Sequence, residues 1–179
     1  MTEIPYRGAL EIAAAIRDKR LSATQYLKYV LNRIEQHDPA LNSVITLNAD
    51  AALTAAHEAD QAVSDGTVLG PLHGVPFGLK DIIDAANLPT TAHSRIYANN
   101  IPIEDAAVTA HLKQSGAILV AKLATHEFAF GGPSFDLPWP PARNPWETRM
   151  FTGGSSSGSG AAIAAGFMPL ALGTDTGGQ

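Results

Sequence analysis

Apolar positions recur along this chain first at helical spacing and then at strand spacing. Leu10, Ile12, Ala13 and Ile16 make a short helical stripe, and Ser22 with Gln25 three positions on fits a capping box for a second helix. Tyr26, Leu27, Val30, Leu31 and Ile34 share one face of that helix, which Asp38-Pro39 is predicted to end. Residues 43–47 read as a strand, and the alanine-rich segment 51–63 as another helix closed near Gly66. Residues 72–83 mix apolar side chains with glycine, consistent with a strand edge that delivers Lys80 and Asp81 to a loop. A helix is predicted over 106–114 with a stop at Ser115-Gly116. The continuous apolar run 117–121 then suggests a strand buried on both faces of a parallel sheet. Five prolines between Gly132 and Pro145 demand an ordered surface loop, and 143–149 carries no strand pattern. A short helix over 160–165 and a strand over 168–173 complete the series. Alternating helices and strands indicate α/β architecture, with no internal repeat.

Composition narrows the classes. With 45% hydrophobic and 16% charged residues, the 179-residue chain has the make-up of a packed globular protein. A formal charge of −5 without a run of Lys or Arg offers no footprint for nucleic acid and no polybasic membrane anchor. Small-molecule partners are favoured. No cysteine is present, which removes disulfides, Cys-ligated zinc and a Cys nucleophile. The first residues lack a basic, then apolar, secretory pattern, and no apolar run nears the ~20 residues of a membrane helix, so a cytoplasmic location is expected.

The candidate chemistry lies in Gly153-Gly-Ser-Ser-Ser-Gly-Ser-Gly160 and in Leu172-Gly-Thr-Asp-Thr-Gly-Gly-Gln179. A flexible linker would lead into polar sequence, whereas 161–165 is apolar and precedes a strand. A phosphate cradle needs Gly-Lys-Ser/Thr, and no lysine follows these glycines. A dinucleotide fingerprint would begin at Gly158-Ser-Gly160, but position 163 is Ile and no strand precedes it. Nucleophilic catalysis fits best, since small residues admit substrate close to the backbone and serines carry protons. A serine needs a base. None of His37, His57, His73, His93, His111 and His126 sits in a nucleophile-elbow context or at metal-ligand spacing, so they are expected to be structural or solvated, with no metal. Lys80, beside apolar Leu79 and Ile82-Ile83, could be buried, and desolvation lowers a lysine pKa until it can accept a proton. For Lys80 taken alone, a solvated surface charge is the more ordinary reading.

Five pieces in order, Gly74-Val-Pro-Phe-Gly-Leu-Lys80-Asp81, Ala121-Lys-Leu-Ala-Thr-His-Glu-Phe-Ala-Phe-Gly131, Arg143-Asn-Pro-Trp146, Gly153 to Gly160 and Gly173-Thr-Asp-Thr-Gly-Gly178, resemble the amidase signature family. That resemblance covers about residues 70–179 and implies an amidase signature fold: a mixed, largely parallel sheet with helices on both sides. It further implies that 1–70 is a helical lead-in, that 71–179 begins the catalytic core, and that the remainder of one domain is absent. By resemblance Lys80 is the general base. Ser155 is the bridging serine, held by a cis peptide and relaying the proton. Thr176, Gly177 and Gly178 supply the oxyanion hole, each donor contributing of the order of 3 kcal/mol. Asp175 braces that turn, and Gly131, Gly132 and Ser156 border the substrate. No cofactor is implied, the partner is a small amide substrate, and a homodimer is left open.

One position departs from the family pattern. Serine is expected after Thr-Asp-Thr-Gly-Gly, but the chain has Gln179, whose amide cannot attack a carbonyl, so the chain as written is expected to be inactive. Three functions follow: an amidohydrolase using a Ser-Ser-Lys triad and an acyl-enzyme, the amidase subunit of a tRNA-dependent amidotransferase, or a catalytically dead or truncated relative. The apolar stretch 131–141 departs from the more polar one expected of the second. Trp139, Trp146, Phe130 and Phe135 could line an acyl pocket or be core aromatics.

Overall fold

The computed structural model describes residues 6–67 and 70–177. Its elements are α1 (Ala9–Arg17), α2 (Ala23–Leu41), β1 (Val44–Leu47), α3 (Ala49–Ser64), β2 (Pro76–Lys80), α4 (Ala107–Gln114), β3 (Ile118–Leu123), β4 (Arg143–Asn144), β5 (Glu147–Phe151), α5 (Ser157–Ala164) and β6 (Leu170–Leu172). Two further single turns of 3₁₀ helix lie at Arg95–Tyr97 and Glu127–Ala129.

Four strands form the main sheet in the order β1-β3-β2-β6. β2 runs parallel to both β3 and β6, while β1 is antiparallel to β3, so the sheet is mixed and mostly parallel. β2 is therefore a central strand, with Phe77, Gly78 and Leu79 paired on both sides. Every residue of β2 and β3 is buried. That follows from their largely apolar runs, interrupted by Lys80 and Lys122 at the carboxyl ends, and from layers on both faces. On one face Ile118, Val120, Leu123 and Met168 pack with the apolar stripes of α1, α2 and α3. On the other, Phe77, Leu79 and Leu119 pack with Leu112 of α4 and with Ile83, Ala85 and Leu88.

α2 starts where its capping serine stands. Ser22 Oγ accepts from the Gln25 amide at 3.2 Å and donates to Asp60 Oδ2 at 2.6 Å. Asp60 of α3 also accepts from the Ala23 and Thr24 amides at 2.7 and 3.0 Å. A carboxylate from another helix thus satisfies first-turn donors that α2 cannot satisfy itself. These bonds hold the Asp60 pKa below the usual carboxylate range, against the upward push of burial.

Two sequence expectations are corrected. α2 does not end at Asp38-Pro39 but runs through Pro39 to Leu41, stopping at Asn42 in the left-handed conformation (φ 52°). Asn42 closes the helix by donating its amide to Asp38 O at 2.8 Å, and the Asp38 side chain takes the Ser43 and Val44 amides at 2.8 and 3.2 Å. One proline near a helix end removes one hydrogen bond, a loss this turn tolerates. Second, 143–149 does contain strand: β4 and β5 pair as an antiparallel hairpin. Pro145 and Trp146 form its turn, and the Trp146 amide donates to Asn144 Oδ1 at 2.9 Å, so turn chemistry rather than hydrophobic alternation makes the hairpin.

α5 begins at Ser157, three residues before the predicted start, with Ser157, Gly158 and Ser159 buried in its first turn. Gly158 is the closest point. A Cβ there would overlap the Ala124 amide nitrogen and sit 2.5 Å from Ser43 O. Gly158→Ala is accordingly expected to lower the free energy of unfolding by about 1–3 kcal/mol, read by urea denaturation. A change within measurement error would show that α5 can move away from β3.

Candidate active site

Three chain segments meet at the carboxyl end of β2: Lys80 at its last position, the loop entering α5 with Ser155 and Ser156, and the loop leaving β6 with Thr174. In parallel α/β sheets this end is where ligands bind, because strands stop and loops gather there. Alternation along β2 turns Lys80 toward the face carrying α5 and turns Leu79 and Asp81 to the other.

Lys80 is fully buried. Its Nζ donates to Ser155 Oγ at 2.6 Å, to Thr174 Oγ1 at 2.9 Å and to Thr174 O at 3.3 Å. Burial pushes the Lys80 pKa below the ordinary lysine range, and the nearby Asp175 carboxylate opposes that shift in part. The surface-charge reading of Lys80 is thereby excluded. The Gly154–Ser155 peptide is cis. Ser155 O accepts from Thr125 Oγ1 at 2.9 Å and from the His126 amide at 3.0 Å.

Ser156 faces Thr174. Its Oγ accepts from the Thr174 amide and donates to Thr174 O, both at 3.1 Å, which ties the two loops together. Asp175 Oδ1 accepts from the Gly177 amide at 2.8 Å, the bracing contact expected of it. The Gly177 amide is thus already engaged by an anionic oxygen. Thr176 is exposed at the same loop. Gly131 and Gly132 are exposed, and Gly131 O accepts from His126 Nδ1 at 2.9 Å. Gly178 and Gln179 lie outside the described residues.

Beneath the site is a second buried lysine, on which sequence reasoning placed no role. Lys122 of β3 and Asp81, both fully buried, form an ion pair at 2.8 Å. Lys122 also donates to Thr90 Oγ1 at 2.7 Å and to Pro89 O at 3.0 Å. Asp81 Oδ2 accepts from the Thr91 amide at 3.0 Å and from the Thr91 hydroxyl. Burial lowers the Lys122 pKa and the Asp81 charge raises it. The signal was present in sequence as two ionisable residues inside otherwise apolar strand segments. The fold alone shows that they meet.

A mostly parallel sheet with helices on both faces, a buried lysine at the carboxyl end of a central strand and a serine hydroxyl bonded to that lysine define an α/β protein with a candidate active site. The amidase family model matches residues 25–178, and the chain belongs to that family. A glutamyl-tRNA(Gln) amidotransferase subunit of Acidothermus cellulolyticus is 42% identical over 179 residues, all of this chain and 35% of that protein. The subunit of the same name from Carboxydothermus hydrogenoformans is 40% identical over 177 residues, 99% of this chain and 36% of that one. Among solved structures, a fatty acid amide hydrolase superposes with a TM-score of 0.92 at 28% identity, covering 98% of this chain and 31% of that chain. Peptide amidase from Stenotrophomonas maltophilia superposes with a TM-score of 0.84 at 34% identity, covering 92% and 35%. The chain therefore spans about a third of the length of these relatives. Among the described residues, no helix is long and apolar enough to cross a membrane.

Removing one partner of a desolvated ion pair leaves the other uncompensated. Lys122→Met should therefore lower the free energy of unfolding by about 3–5 kcal/mol, measured by urea denaturation; a loss below about 1 kcal/mol would mean that Asp81 finds water or another donor.

Proposed function

We propose that this chain carries the machinery of an amidohydrolase that, with a serine at position 179 and the rest of the domain present, cleaves a carboxamide C–N bond, with Lys80 and Ser155 moving the proton. The observation that carries this reading is the 2.6 Å contact between Lys80 Nζ and Ser155 Oγ in a desolvated setting that depresses the lysine pKa. A lysine able to lose its proton can take one from Ser155 Oγ, while Ser155 takes one from a nucleophilic hydroxyl at position 179. That hydroxyl oxygen attacks the amide carbonyl carbon, and the tetrahedral intermediate places its negative charge toward the amides of Thr176 and Gly178, and toward that of Gly177 only if it leaves its bond to Asp175 Oδ1. Collapse breaks the C–N bond, and the leaving nitrogen receives the stored proton through Ser155. Water then attacks the acyl-enzyme by the same relay and releases the acid. Gly131, Gly132 and Ser156 border the substrate in this scheme, and no cofactor takes part.

With glutamine at position 179 the attack has no nucleophile, so the reading assigns the chain as written no turnover. The sequence is proposed as the N-terminal part of one amidase domain, 1–70 leading into a core that begins at 71, completed by further polypeptide. The span of the relatives, nearly three times this length by their 35–36% coverage, supports that proposal.

A second reading is favoured by one observation: the curated relatives that match over the whole chain at 40–42% identity are amidotransferase subunits. In that case the released ammonia passes to a partner enzyme. Glutamine hydrolysis that depends on a partner would select this reading, and partner-independent hydrolysis of simple amides the first.

Gln179→Ser in the full-length protein should create amide hydrolysis, followed as ammonia release, and adding Lys80→Met should reduce that rate about 10²–10⁴-fold. Lys80 acts only when neutral, so the rate should rise with pH and level off at a pKa below the ordinary lysine value of about 10.4. Equal rates with and without Lys80, or a rate that falls as pH rises toward that plateau, would overturn the role of Lys80.

A further inference from the structure

Ser155 can serve Lys80 only if its backbone is held, and one of its two holding contacts, that from the Thr125 hydroxyl, traces back to an unassigned histidine. His93 is 2% exposed and has a left-handed backbone (φ 57°). Both ring nitrogens are engaged. Nδ1 accepts from the Thr125 amide at 3.3 Å, and Nε2 lies 2.9 Å from Trp139 O. An amide N–H can only donate and a carbonyl can only accept, so these contacts make Nδ1 the acceptor and Nε2 the donor. Thr125, placed by that contact, donates its hydroxyl to Ser155 O at 2.9 Å. On its other side His93 donates its amide to Thr91 Oγ1 at 3.0 Å, and Thr91 donates to Asp81, the residue next to Lys80. The path Asp81, Thr91, His93, Thr125, Ser155 and the direct Lys80–Ser155 bond close a ring.

We propose that His93 is a positioning residue that sets Ser155 against Lys80 by accepting the Thr125 amide at Nδ1. The inference rests on the Lys80–Ser155 relay proposed above and adds to it the group that fixes its geometry. Trp139 O and the edge-on Trp139 ring, 5.9 Å between centroids, lock the imidazole plane so that Nδ1 faces Thr125. The proline-rich loop thereby reaches the relay without touching it. A left-handed backbone at position 93 suits histidine or asparagine better than most side chains.

The two nitrogens can be tested separately in the full chain. Asparagine places an oxygen near the Nδ1 position and keeps the acceptor; glutamine reaches the Nε2 position and loses it. Lys80 protonation is read by NMR from the ¹³Cε shift of labelled lysine across pH, a measurement that needs no turnover. His93→Gln should let Ser155 retreat and water reach Lys80, raising its titration midpoint by about one pH unit toward the ordinary lysine value. His93→Asn should leave the midpoint in place. Thr125→Val keeps the shape and the amide but lacks the hydroxyl, and should shift the midpoint as His93→Gln does. If His93→Gln does not fold, Thr125→Val against the parent decides. Unmoved midpoints in His93→Gln and Thr125→Val, or an equal shift in His93→Asn, would overturn the proposal. Absence of amide hydrolysis in the Gln179→Ser protein, with this Lys80 pattern intact, would instead sink the reaction and leave the role of His93 in place.

Discussion

Two ammonium groups buried at one end of a parallel strand pair are the constraint around which this structure is organised. Lys80 and Lys122 stand at the carboxyl ends of β2 and β3, with Leu79 opposite Lys122 in register and Lys80 opposite Leu123. Pleating sends them to opposite faces. A charge without water needs partners, and the two lysines obtain them differently. Lys122 has a full carboxylate and two oxygens of the 89–90 turn. Lys80 has two hydroxyls and a carbonyl, none of them charged, with Asp175 acting only from nearby. The first arrangement neutralises a charge and orders a loop. The second leaves a lysine able to give up its proton.

That difference sets apart two side chains of one type. Asp81 organises 90–93 from the Lys122 side: its carboxylate takes two donors of Thr91, and its carbonyl takes the Ala92 amide at 2.9 Å. From there His93 and Thr125 reach Ser155. On the other face the approach depends on small residues. Gly158 lets α5 lie against Ala124 and Ser43, and Gly154 leaves room for the His126 ring, which a Cβ at that position would strike. The glycines and serines of 153–160 are thus a packing device as much as a chemical one.

Much of this was legible in the chain. Helical stripes around Ile12, Tyr26 and Val30 and the apolar run at 118–123 mark elements whose burial follows from local periodicity. Lys80, Ser155 and Asp175 stood out because a motif surrounds each. The extent of α2 was not legible, since Pro39 breaks a pattern that Asp38 and Asn42 repair through contacts with the next segment. The β4–β5 hairpin was hidden because its register depends on a turn and an asparagine side chain, not on alternating apolar residues. Asp60 as a cap on a distant helix, the Lys122–Asp81 pair and the Thr91–His93–Thr125 chain are all long-range. Neighbouring residues do not show which groups meet.

By itself the sequence determined the family, the order of the helices and of the main-sheet strands and the lysine that stands at the candidate site, because periodicity and contiguous motifs are local properties of a chain. Tertiary structure alone decided which lysine is neutralised and which is merely desolvated, that Ser156 binds Thr174, and which histidine is built against the Ser155 loop. Those outcomes depend on distances between segments separated by 30 to 94 positions, as in Thr125–Ser155 and Lys80–Thr174, and on the exclusion of water that only their joint packing produces.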